Sequence, residues 1–393
     1  MTSRTLQTPN AVKRRIGILA ILAAMALSCR IQSQPPLFTP APSSPFPVGN
    51  QPNDIAAGDV NGDGNLDLLT ANAGSNNVTV LLGNGRSGFT PAPGSPFPGG
   101  PAPHLIAIGD LNGDGKLDLA TTSHDSNDVV VLLGNGRGGF SPAPGSPFTA
   151  LHGTRPHNHG LLLGDVNADA ALDIITANQN DNSASVLLGN GRGGFAPAPG
   201  SPFPVGRRPY LPALGDVNGD GHLDLVTPNF GGSDVTVLLG NGNGSFTPAP
   251  GSRYPVAKGP YFATFGDLNG DDKLDLITTH ADTNLITIML GDAKGGFQQA
   301  SGSPVDAERR GWKVRLGDVN GDARTDLITS GVGNSLVVLL GDGRGNFSPA
   351  RGSPFSVGSG PWGIAVGDMN RDGKLDIVTA NSDSNDVTLL LGH

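Results

Sequence analysis

Residues 110–118 read Asp110-Leu-Asn-Gly-Asp-Gly-Lys-Leu-Asp118, and near-copies begin at Asp59, Asp165, Asp216, Asp267, Asp318 and Asp368. Each copy keeps Asp at positions one, five and nine and Asn at position three, so four side-chain oxygens converge if the backbone curls tightly. A glycine at position six, as in Gly115, admits the positive φ that such a curl requires. With the main-chain carbonyl of position seven the donors form an all-oxygen cage suited to a hard divalent cation. Calcium accepts its irregular geometry more readily than magnesium does.

Two other readings compete. An EF-hand requires flanking helices and a bidentate Glu at position twelve, but that position is Thr70, Thr121, Thr176, Thr227, Thr278, Thr329 and Thr379, and the flanks are apolar and β-branched. A metal-free turn, with Asp and Asn bonding nearby amides, explains one copy as well as calcium does. Seven copies, each with three carboxylates that repel one another without a cation, favour calcium.

The loops recur at spacings of 51, 55, 51, 51, 51 and 50 residues, a period that points to a propeller or solenoid. With 60 Gly and 33 Pro in 393 residues the composition is that of a low-complexity chain, but the periodicity predicts a folded one. Formal charge is −9, which excludes the basic footprint of a nucleic-acid binder. Positions one, five and nine of the loops hold 21 of the 34 acidic residues, and seven Ca²⁺ would carry the net charge to +5.

Residues 1–28 have the form of an export signal: Lys13, Arg14 and Arg15 precede the apolar run 16–27, too short for a permanent membrane span. Secretion, a periplasmic location or display at the cell surface follows as the expectation. Cys29 stands where a lipoprotein would be cleaved and acylated, although the usual Leu at the start of that box is missing. It is the only cysteine, so disulfides do not hold the exported domain, and metal ions are the expected substitute. Residues 29–37 read as a linker.

A phrase beginning Phe38-Thr-Pro-Ala-Pro recurs after each of the first six loops but not after the seventh. The chain thus has a spare strand at one end and lacks one at the other. A ring closed by the N-terminal strand accounts for both and removes open edges. Within a repeat, residues 105–109, 119–122 and 129–133 and a segment from Phe140 onward read as four strands. The apolar third, at 129–133, is expected to be the buried one, and the Pro-rich fourth to lie at the rim. The mature chain shows no helical periodicity. The predicted class is all-β: a monomeric, seven-bladed propeller of four-stranded antiparallel blades over residues 38–393, with no transmembrane helix.

The pattern resembles the FG-GAP/VCBS repeat family, whose propellers are typified by the integrin α-chain head and used in cell adhesion. The resemblance implies calcium bound between the first two strands of each blade, at up to seven sites. The side-chain ligands would be Asp59, Asn61, Asp63 and Asp67; Asp110, Asn112, Asp114 and Asp118; Asp165, Asn167, Asp169 and Asp173; Asp216, Asn218, Asp220 and Asp224; Asp267, Asn269, Asp271 and Asp275; Asp318, Asn320, Asp322 and Asp326; and Asp368, Asn370, Asp372 and Asp376. The carbonyls would come from Asn65, Lys116, Ala171, His222, Lys273, Arg324 and Lys374. Position six departs from Gly at Ala170, Asp272 and Ala323, where weaker binding is expected. The family's Phe-Gly and Gly-Ala-Pro words are poorly kept, which favours the bacterial VCBS-like branch.

Six residues before each loop stand Asn53, His104, His159, Tyr210, Tyr261, Trp312 and Trp362. In a closed ring they circle the channel mouth opposite the calcium. Either the rings fill the channel, or they form a platform for a glycan or protein ligand. Arg207, Arg208, Lys258, Arg309 and Arg310 lie just upstream, in reach of an acidic group. Asn72, Ser123, Asn178, Asn229, His280, Gly331 and Asn381, five residues beyond each loop, are expected to form a polar ring facing hydroxyls. Residues 151–160 carry His152, His157 and His159, which could bind a transition metal but lack a recognised spacing. A non-catalytic, calcium-stabilised binding or adhesion module is the first functional expectation. The alternative is a carbohydrate-active lyase or dehydratase with His104, His159 and Tyr210 as acid–base groups, although no GxSxG elbow or phosphate-binding loop is present.

Overall fold

A computed structural model describes residues 36–150 and 157–393. The segment expected to direct export, Cys29, most of the expected 29–37 linker and His152 lie outside the described residues. The unit Leu37–His393 consists of seven antiparallel sheets, with no helix among the described residues.

The second blade shows the plan. Its inner strand Pro103–Gly109 pairs with Asp118–Ser123, which pairs with Asp128–Gly134, whose far edge carries Phe140–Pro142 and then Phe148–Thr149. The fourth position is therefore filled by two short pieces. Between them Pro144 and Pro147 lack amide donors, and the chain turns away from the ladder. Ser146 repairs the gap, its Oγ accepting the Val131 amide at 2.9 Å in place of a carbonyl. Ser44, Ser95, Ser201, Ser252, Ser303 and Ser353 do the same in the other blades.

The second strand, not the third, is the most buried. All six of its residues are buried in every blade. Mid-blade, both sheet faces are covered by neighbouring blades, so even its threonines are enclosed. The third strand keeps a half-buried leucine near its end, such as Leu82, Leu133 or Leu188. Each of these meets a turn glycine of the next blade. A Cβ on Gly138 would stand 3.0 Å from Leu82, and its φ of +81° favours glycine independently.

Closure follows the expected route. Phe38 pairs with Gly392 and Pro40 with Leu390, and Phe46 pairs with Val387 further along the same strand. The recurring phenylalanines explain themselves at the seams, where one blade's outer piece meets the next: Phe46–Phe89, Phe97–Phe140, Phe148–Phe195, Phe203–Phe246, Tyr254–Phe297 and Phe355–Phe38 are edge-to-face pairs with centroids 5.2–5.8 Å apart. The remaining seam has Val305 in the aromatic position. No helix of the described residues is long and apolar enough to cross a membrane.

Candidate functional site

The acidic loops join first and second strands at one end of the ring. In the first, Asp59 Oδ1 accepts the amides of Gly62 and Asp63, and Oδ2 accepts that of Gly64 at 2.7 Å. Asn61 and Asp63 cap the next amides along. The bond from the position-six amide to the first Asp recurs in all seven loops. Positions four and six both lie in the left-handed region, so Ala168, Ala170, Asp272, Ala323 and Arg371 adopt a conformation that favours glycine. Position six was read as a glycine site; position four, glycine in five of the seven loops, carries the same signal in the sequence.

The ninth-position Asp differs from the other loop carboxylates. Asp118 is fully buried, and its two oxygens accept the amides of Leu111 at 2.9 Å and Gly134 at 2.7 Å, tying the loop to the end of the third strand. The same two bonds recur in every blade. Burial pushes the Asp67 and Asp173 carboxyls up to about 6 and raises the other five. At the exposed fifth position Asp114 moves the other way: the Lys116 ammonium, 2.9 Å from it, lowers that carboxyl. Lys273 acts likewise on Asp271.

At the opposite end the inner-strand side chains meet. Trp312 and Trp362 stack with centroids 4.7 Å apart and planes 9° from parallel. Tyr261 stands edge-on to Trp312, Tyr210 lies 4.7 Å from Tyr261, and His159 stacks on Tyr210 at 4.0 Å. His104 closes the circle against His159 and Trp362 at 5.5 and 5.6 Å, with Asn53 bonded to its Nδ1. His104, His159, Tyr210 and Tyr261 are buried, and only the tryptophans and Asn53 remain half-exposed. The rings thus plug the mouth, and among these seven positions the accessible aromatic surface narrows to the Trp312–Trp362 pair. Burial, reinforced by neighbouring imidazoles, pushes His104 and His159 far below the usual histidine range, and burial raises the Tyr210 and Tyr261 phenols.

The expected hydroxyl-facing ring is not exposed, which corrects that reading. Asn72, Asn229 and Asn381 are buried, donating to Thr79, Thr236 and Thr388 of their own blades, while His280 bonds Thr287. These side chains brace the turn into the third strand. Arg207, Arg208, Arg309, Arg310 and Lys258 are exposed, with Arg208 seated 5.0 Å over Phe230.

Beneath the plug lies a cavity of about 280 Å³ lined by Leu105, Ile106, Leu161, Phe262, Lys313 and Arg315 among others. Lys313 pairs with Asp54 at 2.6 Å, both buried. Lys313 and Arg315 interrupt an otherwise apolar inner strand, a signal readable in the sequence but passed over there. His124, next to Ser123 in the turn after the second strand, was also passed over, although that turn was expected to contribute a ring of polar side chains.

The family model described as FG-GAP-like repeat matches residues 59–121, 110–176, 165–227, 229–278 and 318–379, so that every acidic loop falls inside a match. No curated protein sequence matches the chain. Among solved structures, BBS1N in complex with ARL6DN aligns with TM-score 0.61 and 11% identity, over 91% of this chain and 98% of that one. A catalytically inactive virginiamycin B lyase from Staphylococcus aureus, with quinupristin, gives 0.55 and 16%, over 90% and 97%. An Agrocybe aegerita lectin recognising non-reducing terminal N-acetylglucosamine gives 0.53 and 21%, over 84% and 86%. At these identities the likeness is one of fold.

Proposed function

Because this chain belongs to the FG-GAP-like repeat family, we propose that it is an exported, calcium-stabilised propeller acting as a non-catalytic binding module for a glycan or protein ligand. The observation that carries the ligand face is the half-exposed Trp312–Trp362 stack, a flat apolar surface flanked by the exposed Arg309 and Arg310. Aromatic faces beside polar groups suit sugar rings and peptide side chains alike. Binding of the purified protein to glycan and peptide arrays is expected to fall at least tenfold in Trp312→Ala and in Trp362→Ala. Undiminished binding in both removes the platform.

The loops fit calcium by donor chemistry, oxygen throughout. In the first, Asp59, Asn61, Asp63, the Asn65 carbonyl and Asp67 would hold the ion. The bound cation supplies the counter-charge that three neighbouring carboxylates otherwise lack. The loop's own amides also bond Asp59 and Asp67, holding those two carboxylates in the curl.

A second reading, a lyase or dehydratase, has one observation in its favour: His104, His159 and Tyr210 do come together. Their burial leaves the imidazoles neutral and the phenol protonated. Uronide or keto-sugar turnover that vanishes in His159→Ala would support it.

A further inference from the structure

Four histidines gather at the plugged end, and the binding reading gives them no task beyond packing. His104 comes from the second blade's inner strand, His124 from the turn following that blade's second strand, and His157 and His159 from the connector into the third blade. One ring nitrogen from each of His104, His124 and His159 lies within 4.8 Å of the others, the only such grouping of His, Cys, Asp or Glu among the described residues. We propose that His104, His124 and His159 form a binding site for one borderline transition-metal ion, most simply Zn²⁺, independent of the acidic loops.

The geometry supports ligation. His124 Nε2 and His159 Nδ1 are 3.3 Å apart; two nitrogens about 2.0–2.1 Å from a tetrahedral zinc are separated by about 3.3 Å. The second nitrogen of His159 lies 2.8 Å from His157 Nε2. If the metal takes Nδ1, the Nε2 hydrogen is donated to His157, which stands where a ligating histidine ordinarily has a carboxylate, carbonyl or water. Asn53, 3.1 Å from His104 Nδ1, plays the same part once its amide presents oxygen, an orientation that a 180° turn of the amide supplies.

The chemistry separates this site from calcium, since imidazole suits zinc, copper and nickel whereas calcium takes oxygen. Burial and mutual repulsion keep the imidazoles neutral, as ligands must be. Of the surrounding charges, Arg208 opposes a cation, Lys313 is compensated by Asp54, and Asp125 favours one. His124 and His157 are half-exposed, giving the ion a way in, and three protein ligands leave one position for water or an exogenous group.

The test is titration of chelator-stripped protein with Co²⁺, and with Zn²⁺ by calorimetry, in excess Ca²⁺ so that the loops are saturated. One equivalent is expected, with the visible ligand-field bands of four-coordinate cobalt. Affinity should fall at least tenfold in His124→Ala and His159→Ala and stay unchanged in His393→Ala, an exposed histidine just past the third strand of the seventh blade. His124 is half-exposed, so its variant is expected to fold even if that of His159 does not, and melting curves check this. Absence of saturable binding in the wild type, or full retention in folded His124→Ala, overturns the proposal. Neither outcome bears on the tryptophan platform.

Discussion

Asp118→Asn separates the two roles open to the ninth loop position. The Asp118 carboxylate accepts two main-chain amides while fully buried. Asparagine keeps the shape but points an NH₂ at one of those N–H groups. The lost charge-assisted bond is worth about 1.5–3 kcal/mol, and the orphaned amide adds about 1–3 kcal/mol. Part of this is offset because no charge is then desolvated, leaving a net cost of about 3 kcal/mol. At about 2.1 cal/mol/K per residue, the Leu37–His393 unit unfolds with an entropy of roughly 0.75 kcal/mol/K, so the midpoint should drop by about 4 °C. Differential scanning calorimetry in excess chelator is the assay, repeated in Ca²⁺. Asp114→Asn is the control: that side chain is exposed and pairs with Lys116 across solvent that screens the interaction. Its loss should move the melt by about 1 °C at most in chelator and substantially only in Ca²⁺. Equally small shifts for both variants in chelator would mean that the ninth carboxylate acts only through a cation, and the two-amide argument would fail.

Three further outcomes are expected. Ala170→Gly and Ala323→Gly should each stabilise by about 1 kcal/mol in chemical denaturation, because both sit at positive φ; Gly115→Ala should cost a similar amount, since nothing crowds an added Cβ there. Burial lowers His280 to about 4, so between pH 4 and 6.5 the unfolded chain binds a proton that the folded chain does not, and stability rises with pH across that window. His280→Gln should flatten the slope there by about 1.4 kcal/mol per pH unit, read from urea midpoints. Phe38→Ala removes a buried ring from the closing seam and should cost about 3–5 kcal/mol, with self-association by light scattering as the closing edge loosens.

The fold was legible because each recurring element answers a requirement that recurs with it. The Asp, Asn and Gly positions mark the curl between first and second strands and the prolines mark the rim, whereas the phenylalanines declare themselves as seam residues only in the packed ring. Ring closure could be read because Phe38 and its neighbours repeat a phrase missing at the other end. Where the reading went astray, the cause was a quantity that no single repeat contains. The apolar run at 129–133 looks like the most buried strand, yet burial depends on position along the blade radius, and the more polar Asp118–Ser123 lies where both neighbours cover it. Asn72 and its counterparts look exposed in a polar turn, but their threonine partners stand across a strand pair.

The same distinction bears on where function resides. Seven equivalent loops give seven equivalent statements, and symmetry alone makes them look important; in every copy the buried ninth carboxylate has two main-chain partners, which gives it an architectural role beside the one expected toward a cation. The aromatic end carries different side chains in successive blades: histidines in the second and third, tyrosines in the fourth and fifth, tryptophans in the sixth and seventh. Uniform packing of the channel does not demand that gradient. The interval of 55 residues between the second and third loops, against 50 or 51 elsewhere, lengthens the connector that carries His157 and His159 to His124 of the preceding blade. The equivalent positions of the next blade pair, Gln179 and Tyr210, are bonded without any added residues, so His124 meets His159 through blade-to-blade packing that no single repeat displays.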